Sequence, residues 1–136
     1  MPALLAASDI ASLEELESHP EYITKLRQNA SLLWDELKSV KQLNAVGESS
    51  LSPVVHLQLA SPAASFAAEE HLLQDIVDEA LKQGILLTRA KYVVREEVHL
   101  PRPSIRVTVS QAHTPDQIRK AVAVIKAAAA SISLKA

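Results

Sequence analysis

The chain holds 136 residues, 48% hydrophobic and 22% charged, the make-up of one compact domain with a real core. Fourteen Lys plus Arg against sixteen Asp plus Glu leave a formal charge of −2, so nothing electrostatic points to nucleic acid or an anionic membrane as partner. With no cysteine, disulfide scaffolds, thiolate catalysis and Cys-ligated zinc are excluded. The only glycines, Gly47 and Gly84, are too far apart to build a glycine-rich phosphate loop. Aromatics amount to 3% (Tyr22, Trp34, Phe66 and Tyr92), too few for a base-stacking platform. No apolar run approaches the roughly 20 residues needed to cross a bilayer. The start, Met1-Pro2-Ala3-Leu4-Leu5, lacks the basic flank of a secretory signal, and the chain by itself reads as soluble and intracellular.

Residues 4–18 place Ile10, Leu13 and Leu16 on one helical face, with no obvious partner for it. Ser18 is suited to cap a second helix, with Pro20 in its first turn. There Ile23, Leu26, Ala30, Leu33, Leu37 and Val40 recur at helical spacing, the cleanest core-facing stripe in the chain. Residues 43–46 read as a short strand, ended by Gly47 and a Ser-rich stretch running to Pro53. Residues 54–59 alternate as a second strand, with Val55, Leu57 and Leu59 on one face; the apolar content suggests cover on both sides. Leu72, Leu73, Ile76, Val77, Ala80 and Leu81 mark a third helix, with Glu69 and Glu70 suited to its positive N-terminal end. Gly84 is placed to stop it in a left-handed conformation. Residues 85–90 read as a strand and 91–103 as a polar connection. Ile105, Val107 and Val109 then alternate with polar residues as the clearest strand. Thr114-Pro115-Asp116-Gln117 is a capping box opening a last helix, which faces Ile118, Val122, Ile125 and Ala129 to the core. The order predicts an α+β fold, a small sheet covered by helices on one face.

Candidate chemistry is sparse. The five histidines (positions 19, 56, 71, 99 and 113) fall in different elements, without the short spacings of metal ligands. His56 reads as an ordinary strand histidine, and His113 is placed to contact backbone ahead of the last helix. Ser49, Ser50 and Ser52 share a loop but lack the glycine elbow of a nucleophile. Glu96 and Glu97 are adjacent, so their side chains diverge into solvent. Lys91 follows a strand without apolar neighbours to depress its pKa and reads as a surface lysine rather than a Schiff base. Arg106 sits mid-strand, opposite the apolar set. A guanidinium held there can clamp a carboxylate bidentately, or simply lie across the sheet and pair with an acid.

Three stretches carry a resemblance: Val46-Gly47-Glu48-Ser49-Ser50-Leu51-Ser52-Pro53-Val54-Val55-His56-Leu57-Gln58-Leu59, Ile85-Leu86-Leu87-Thr88-Arg89-Ala90-Lys91-Tyr92, and Leu100-Pro101-Arg102-Pro103-Ser104-Ile105-Arg106-Val107. Together they resemble the C-terminal domain of the non-catalytic long-chain-base subunit 1 of serine palmitoyltransferase. Ser110-Gln111-Ala112-His113-Thr114 is similar to the Ser-Ala-Ala-His-Thr segment of the wider α-oxoamine synthase family. The resemblance runs from about Leu4 to the C-terminus.

It implies a type I pyridoxal-phosphate fold (aminotransferase class I/II), with residues 1–17 the tail of a missing large domain and 18–136 its small, mostly antiparallel C-terminal α+β domain. It implies an acyltransferase complex that condenses serine with palmitoyl-CoA to 3-ketosphinganine, opening sphingolipid biosynthesis at the endoplasmic reticulum membrane. The partner would be the catalytic subunit of serine palmitoyltransferase. That subunit would carry the Schiff-base lysine and the pyridoxal phosphate; this chain alone would bind no cofactor or metal, supply no catalytic residue, hold no membrane span and face the cytosol. Arg106 matches by position the arginine that binds the amino-acid carboxylate in catalytic relatives. Those relatives carry a longer, glycine-containing connection where this chain has Pro101-Arg102-Pro103-Ser104. The competing expectation is a free-standing α+β binding or regulatory module, which would have to bury the Ile10, Leu13 and Leu16 face within itself.

Overall fold

The computed structural model describes residues 3–47, 50–92 and 98–133. Four helices and four strands follow one another as α1 (Ala3–Ser18), α2 (Glu21–Leu37), β1 (Leu43–Val46), β2 (Val54–Leu59), α3 (Phe66–Lys82), β3 (Thr88–Arg89), β4 (Ile105–Thr108) and α4 (Pro115–Ser133). The expected α+β order is therefore the observed one. The sheet runs β1-β2-β4-β3 with every neighbouring pair antiparallel. Among the described residues no helix is long and apolar enough to cross a membrane.

Helices cover one face of the sheet. Val55, Leu57 and Leu59 of β2, with Ile105 and Val107 of β4, point into the core. There they meet Leu73 and Ile76 of α3 and Ile118, Val122, Ile125 and Ala129 of α4, all buried. The suggestion that β2 is covered on both sides is wrong: Val54 is exposed and His56 and Gln58 are half-buried. Alternation puts these three on the side where no helix packs.

Local signals account for most boundaries. The capping box forms, with the Thr114 N–H donating to Gln117 Oε1 (2.9 Å) and the Gln117 N–H to Thr114 Oγ1 (3.3 Å). Gly84 ends α3 at φ +79, its N–H reaching the Leu81 carbonyl while the Ile85 N–H reaches that of Ala80. That Schellman geometry turns the chain back onto α3 and so shortens the strand expected over 85–90 to Thr88–Arg89. At the start of α3, Ser65 is the cap and accepts from the Ala68 N–H, so the helix opens earlier than its apolar stripe. Ser18 does not cap α2; it is the last residue of α1, and Pro20 holds the cap position without a side-chain hydrogen bond. Pro20 has no N–H to donate into the α1 ladder, so that helix stops at Ser18 and the chain turns at His19-Pro20.

Glu69 does more than complement a helix dipole. Only 5% exposed, it accepts two hydrogen bonds from Arg102 (2.8 and 3.1 Å) and one from the Ala63 N–H (3.2 Å). Arg102 also donates to the Leu59 carbonyl at 3.1 Å. One ion pair thus joins the end of β2, the following loop, the first turn of α3 and the segment leading into β4. Hydrogen bonding to Glu69 raises the Arg102 pKa, against a smaller opposing effect of desolvation. Glu70, beside it, pairs with Arg89 of β3.

Asn29 is the other buried polar anchor. From α2, 4% exposed, its Nδ2 donates to the carbonyls of Ser110 and His113, both at 2.9 Å, holding the turn between β4 and α4.

Glu69→Ala should lower the free energy of urea unfolding by about 2 kcal/mol, between exposed and fully buried pairs, because Arg102 is partly solvated. Lys82→Ala, which removes the exposed pair with Glu79, should leave the urea midpoint unchanged. Asn29→Leu removes the donor to both carbonyls, leaving Ser110 O with only the long bond from the His113 N–H, and should cost about 1–3 kcal/mol, with faster amide exchange over residues 110–114.

Candidate functional site

Arg106 lies where three strands meet. His56 of β2 is directly opposite it on one side and Thr88 of β3 on the other, and Val46 of β1 opposes His56. The row Val46, His56, Arg106, Thr88 therefore crosses the uncovered sheet face. Val54, Gln58 and Thr108 share that face by alternation, and no carboxylate stands among these side chains. Arg106 is exposed, and among the described residues no acid pairs with it. Arg89, Arg102 and Arg119 by contrast each hold a glutamate. The sheet makes the guanidinium a rigidly based cation, un-neutralised among the described residues.

His56 is oriented by a partner the sequence did not reveal. Its Nδ1 lies 2.9 Å from Ser104 Oγ, across 48 positions of chain. The pair looks like a nucleophile and its base, but Ser104 is 1% exposed and no substrate can reach it. Ser104 instead locks the imidazole, and its carbonyl accepts the Ala90 N–H (2.8 Å) to join the β3 edge.

A cleft of about 340 Å³ opens at one end of this row. Residues 84–87, following the Gly84 turn, form one wall of it. The Val109 N–H donates to the Pro53 carbonyl, so the antiparallel alternation turns the Thr108 peptide groups to the opposite, open edge. Leu33, Leu87, Val109 and Ile118 floor the cleft, with Arg106, Thr88 and His113 at its polar margin. The Ser110 N–H donates to His113 Nδ1 at 3.0 Å, the backbone contact expected of this histidine, and a neutral ring then carries its proton on Nε2. A second cleft, about 630 Å³, lies between the 60–64 loop, α3 and the end of α4, with Lys41 at its rim.

The other candidates stay apart. Lys91 is exposed and lines neither cleft. Among the described residues Arg106's cleft contains no lysine, so its lining does not fit pyridoxal phosphate held as a Schiff base. Ser52 Oγ bonds the Val54 backbone, starting β2 rather than serving chemistry. Ser50 is an exposed turn residue; Ser49, Glu96 and Glu97 lie outside the described residues. His19 stacks on Tyr22 with ring centroids 4.9 Å apart, and His71 and His99 are exposed. Among the described residues no three His, Asp or Glu side chains are placed to hold a metal ion. The chemistry on offer is the binding of an oxyanion by Arg106.

No family model matches the chain. It is 39% identical over 132 residues to serine palmitoyltransferase 1 of Dictyostelium discoideum, covering 93% of this chain and 27% of that protein. It is 33% identical over 133 residues to long chain base biosynthesis protein 1b of Oryza sativa subsp. japonica, covering 97% and 27%. Among solved structures, a serine palmitoyltransferase from S. paucimobilis superposes with a TM-score of 0.72 at 20% identity, over 91% of this chain and 28% of that one. That likeness is one of fold, shared also with 8-amino-7-oxononanoate synthase from Francisella tularensis at a TM-score of 0.68 and 22% identity, over 99% of this chain and 34% of that one. Along nearly all its residues the chain is thus homologous to serine palmitoyltransferase 1 and long chain base biosynthesis protein 1, and it spans about 27% of the length of these relatives.

Proposed function

We propose that this chain carries the small C-terminal domain of the non-catalytic subunit of serine palmitoyltransferase, and that its work is packing rather than chemistry. Residues 1–17 belong to the end of the large domain and 18–136 to the small one. The complex, seated at the endoplasmic reticulum membrane, joins serine to palmitoyl-CoA with loss of CO2. Pyridoxal phosphate, when bound, supplies the electron sink, and it belongs with the large domain of the catalytic subunit. This chain faces the cytosol and helps shape the heterodimer. Arg106, in the position of the carboxylate-binding arginine of catalytic relatives, is the residue here that is suited to hold a carboxylate.

The observation that carries the reading is α1. None of its residues is buried, and Ile10, Leu13 and Leu16 are 58%, 61% and 42% exposed. The apolar stripe continues into α2, where Ile23 is still 40% exposed before Ala30 and Leu33 enter the core. A free-standing module would bury that surface in itself. Its exposure fits a helix made to be covered by protein outside these residues.

Co-expression with a catalytic serine palmitoyltransferase subunit should give stable capture of this chain. Replacing Ile10, Leu13 and Leu16 by serine should leave the urea midpoint unchanged and reduce self-association, since no core contact is lost. A clear fall in the midpoint would make α1 part of an autonomous core and favour a free-standing module.

A further inference from the structure

The turn between β4 and α4 is closed by a titratable side chain. The Ser110 N–H donates to His113 Nδ1 at 3.0 Å, and the His113 N–H returns to the Ser110 carbonyl at 3.3 Å. From α2, Asn29 Nδ2 donates to the carbonyls of both residues, at 2.9 Å each. Two different chemistries therefore hold the turn. Its carbonyls rest on an amide group that does not titrate, and its N–H rests on a ring nitrogen that accepts only while unprotonated.

Solvent can deliver a proton to that ring. His113 is exposed, and among the described residues no acid pairs with it. The charged groups on the elements around the turn are Lys25 and Glu36 on α2, Asp116, Arg119 and Lys120 on α4, and Arg106 across the cleft. Arg119 holds Asp116 at 3.3 Å and Glu36 at 3.4 Å, so both acids have a partner other than the imidazole. Protonation places a hydrogen on Nδ1, facing the Ser110 N–H, and two donors then meet where a donor met an acceptor. Ser110 Oγ, 3.5 Å from Nδ1, can take the new proton, but the Ser110 N–H has then lost the ring.

We infer that His113 is an acid-released latch on the β4–α4 turn. Neutral, it ties down the Ser110 N–H; protonated, it lets that group go and adds a second positive charge to the cleft margin where Arg106 stands. The contact is present above the titration of the ring and is lost as the pH falls through it. Release frees one side of the turn only, because the Asn29 anchor stays in place. The latch is internal to the turn and stands independently of the heterodimer reading.

The test is amide exchange of the full chain by NMR at about pH 5 and about pH 7.5, either side of the usual imidazole titration, each rate divided by that of an unstructured peptide at the same pH. Protection of the Ser110 N–H should fall about fivefold at the lower pH, the worth of one neutral hydrogen bond. The Thr114 N–H, held by the non-titrating Gln117 side chain, should keep its protection. In His113→Asn, whose side-chain oxygen can stand where Nδ1 stood and takes up no proton, Ser110 should stay protected at both pH values. His113→Ala should lose that protection at both. Ring nitrogen shifts of the wild type at the higher pH should place the proton on Nε2, and a proton found on Nδ1 would overturn the latch without recourse to any variant. Unchanged Ser110 protection between the two pH values, an equal fall at Thr114, or a fall that persists in His113→Asn would each overturn it as well.

Discussion

The Glu69–Arg102 pair is the constraint on which the rest of the domain depends. Its guanidinium ties the β2 carbonyl end at Leu59 to the first turn of α3, and its carboxylate takes the backbone of the intervening loop at Ala63. Arg102 stands three residues before β4, so the same pair sets where that strand enters the sheet. Downstream, Ser104 bonds both His56 and the Ala90 backbone, and Arg106 follows on the open face. With few glycines and no disulfide to staple the connection, a half-buried ion pair with four hydrogen bonds holds it in register.

Among the described residues two surfaces are left uncovered, and they differ in chemistry. The α1 surface and the start of α2 are aliphatic, suited to burial against another apolar surface. The outer sheet face is mixed, with aliphatic positions beside a cation and a fixed imidazole. Hydrophobic cover stabilises the first without specifying much.

Legibility in the sequence followed the range of the interactions. The α4 capping box, the Gly84 stop and the alternation of β2 and β4 are local, and each was read from a few adjacent residues. The shortening of β3 was not, because residues 85–87 have strand-like side chains but follow a turn in which the Ile85 N–H is bonded back to Ala80 of α3. Ser18 read as a cap by residue type, yet α1 continues through it. Glu69 read as a dipole partner because nothing in its neighbourhood announces an arginine 33 positions later. The His56–Ser104 pair and the Asn29 anchor, spanning 48 and more than 80 positions, carried no sequence signal of their own.

The sequence by itself determined the order of elements, the face of β2, β4 and α4 that enters the core, and the position of Arg106 on the opposite face. Those follow from periods of 2 and 3.6 residues, which any short window contains. Only the tertiary structure decided which ionisable groups neutralise one another. Ion pairing depends on which segments the sheet and helices bring together, and that placed Glu69 on Arg102, Glu70 on Arg89, and no described acid on Arg106.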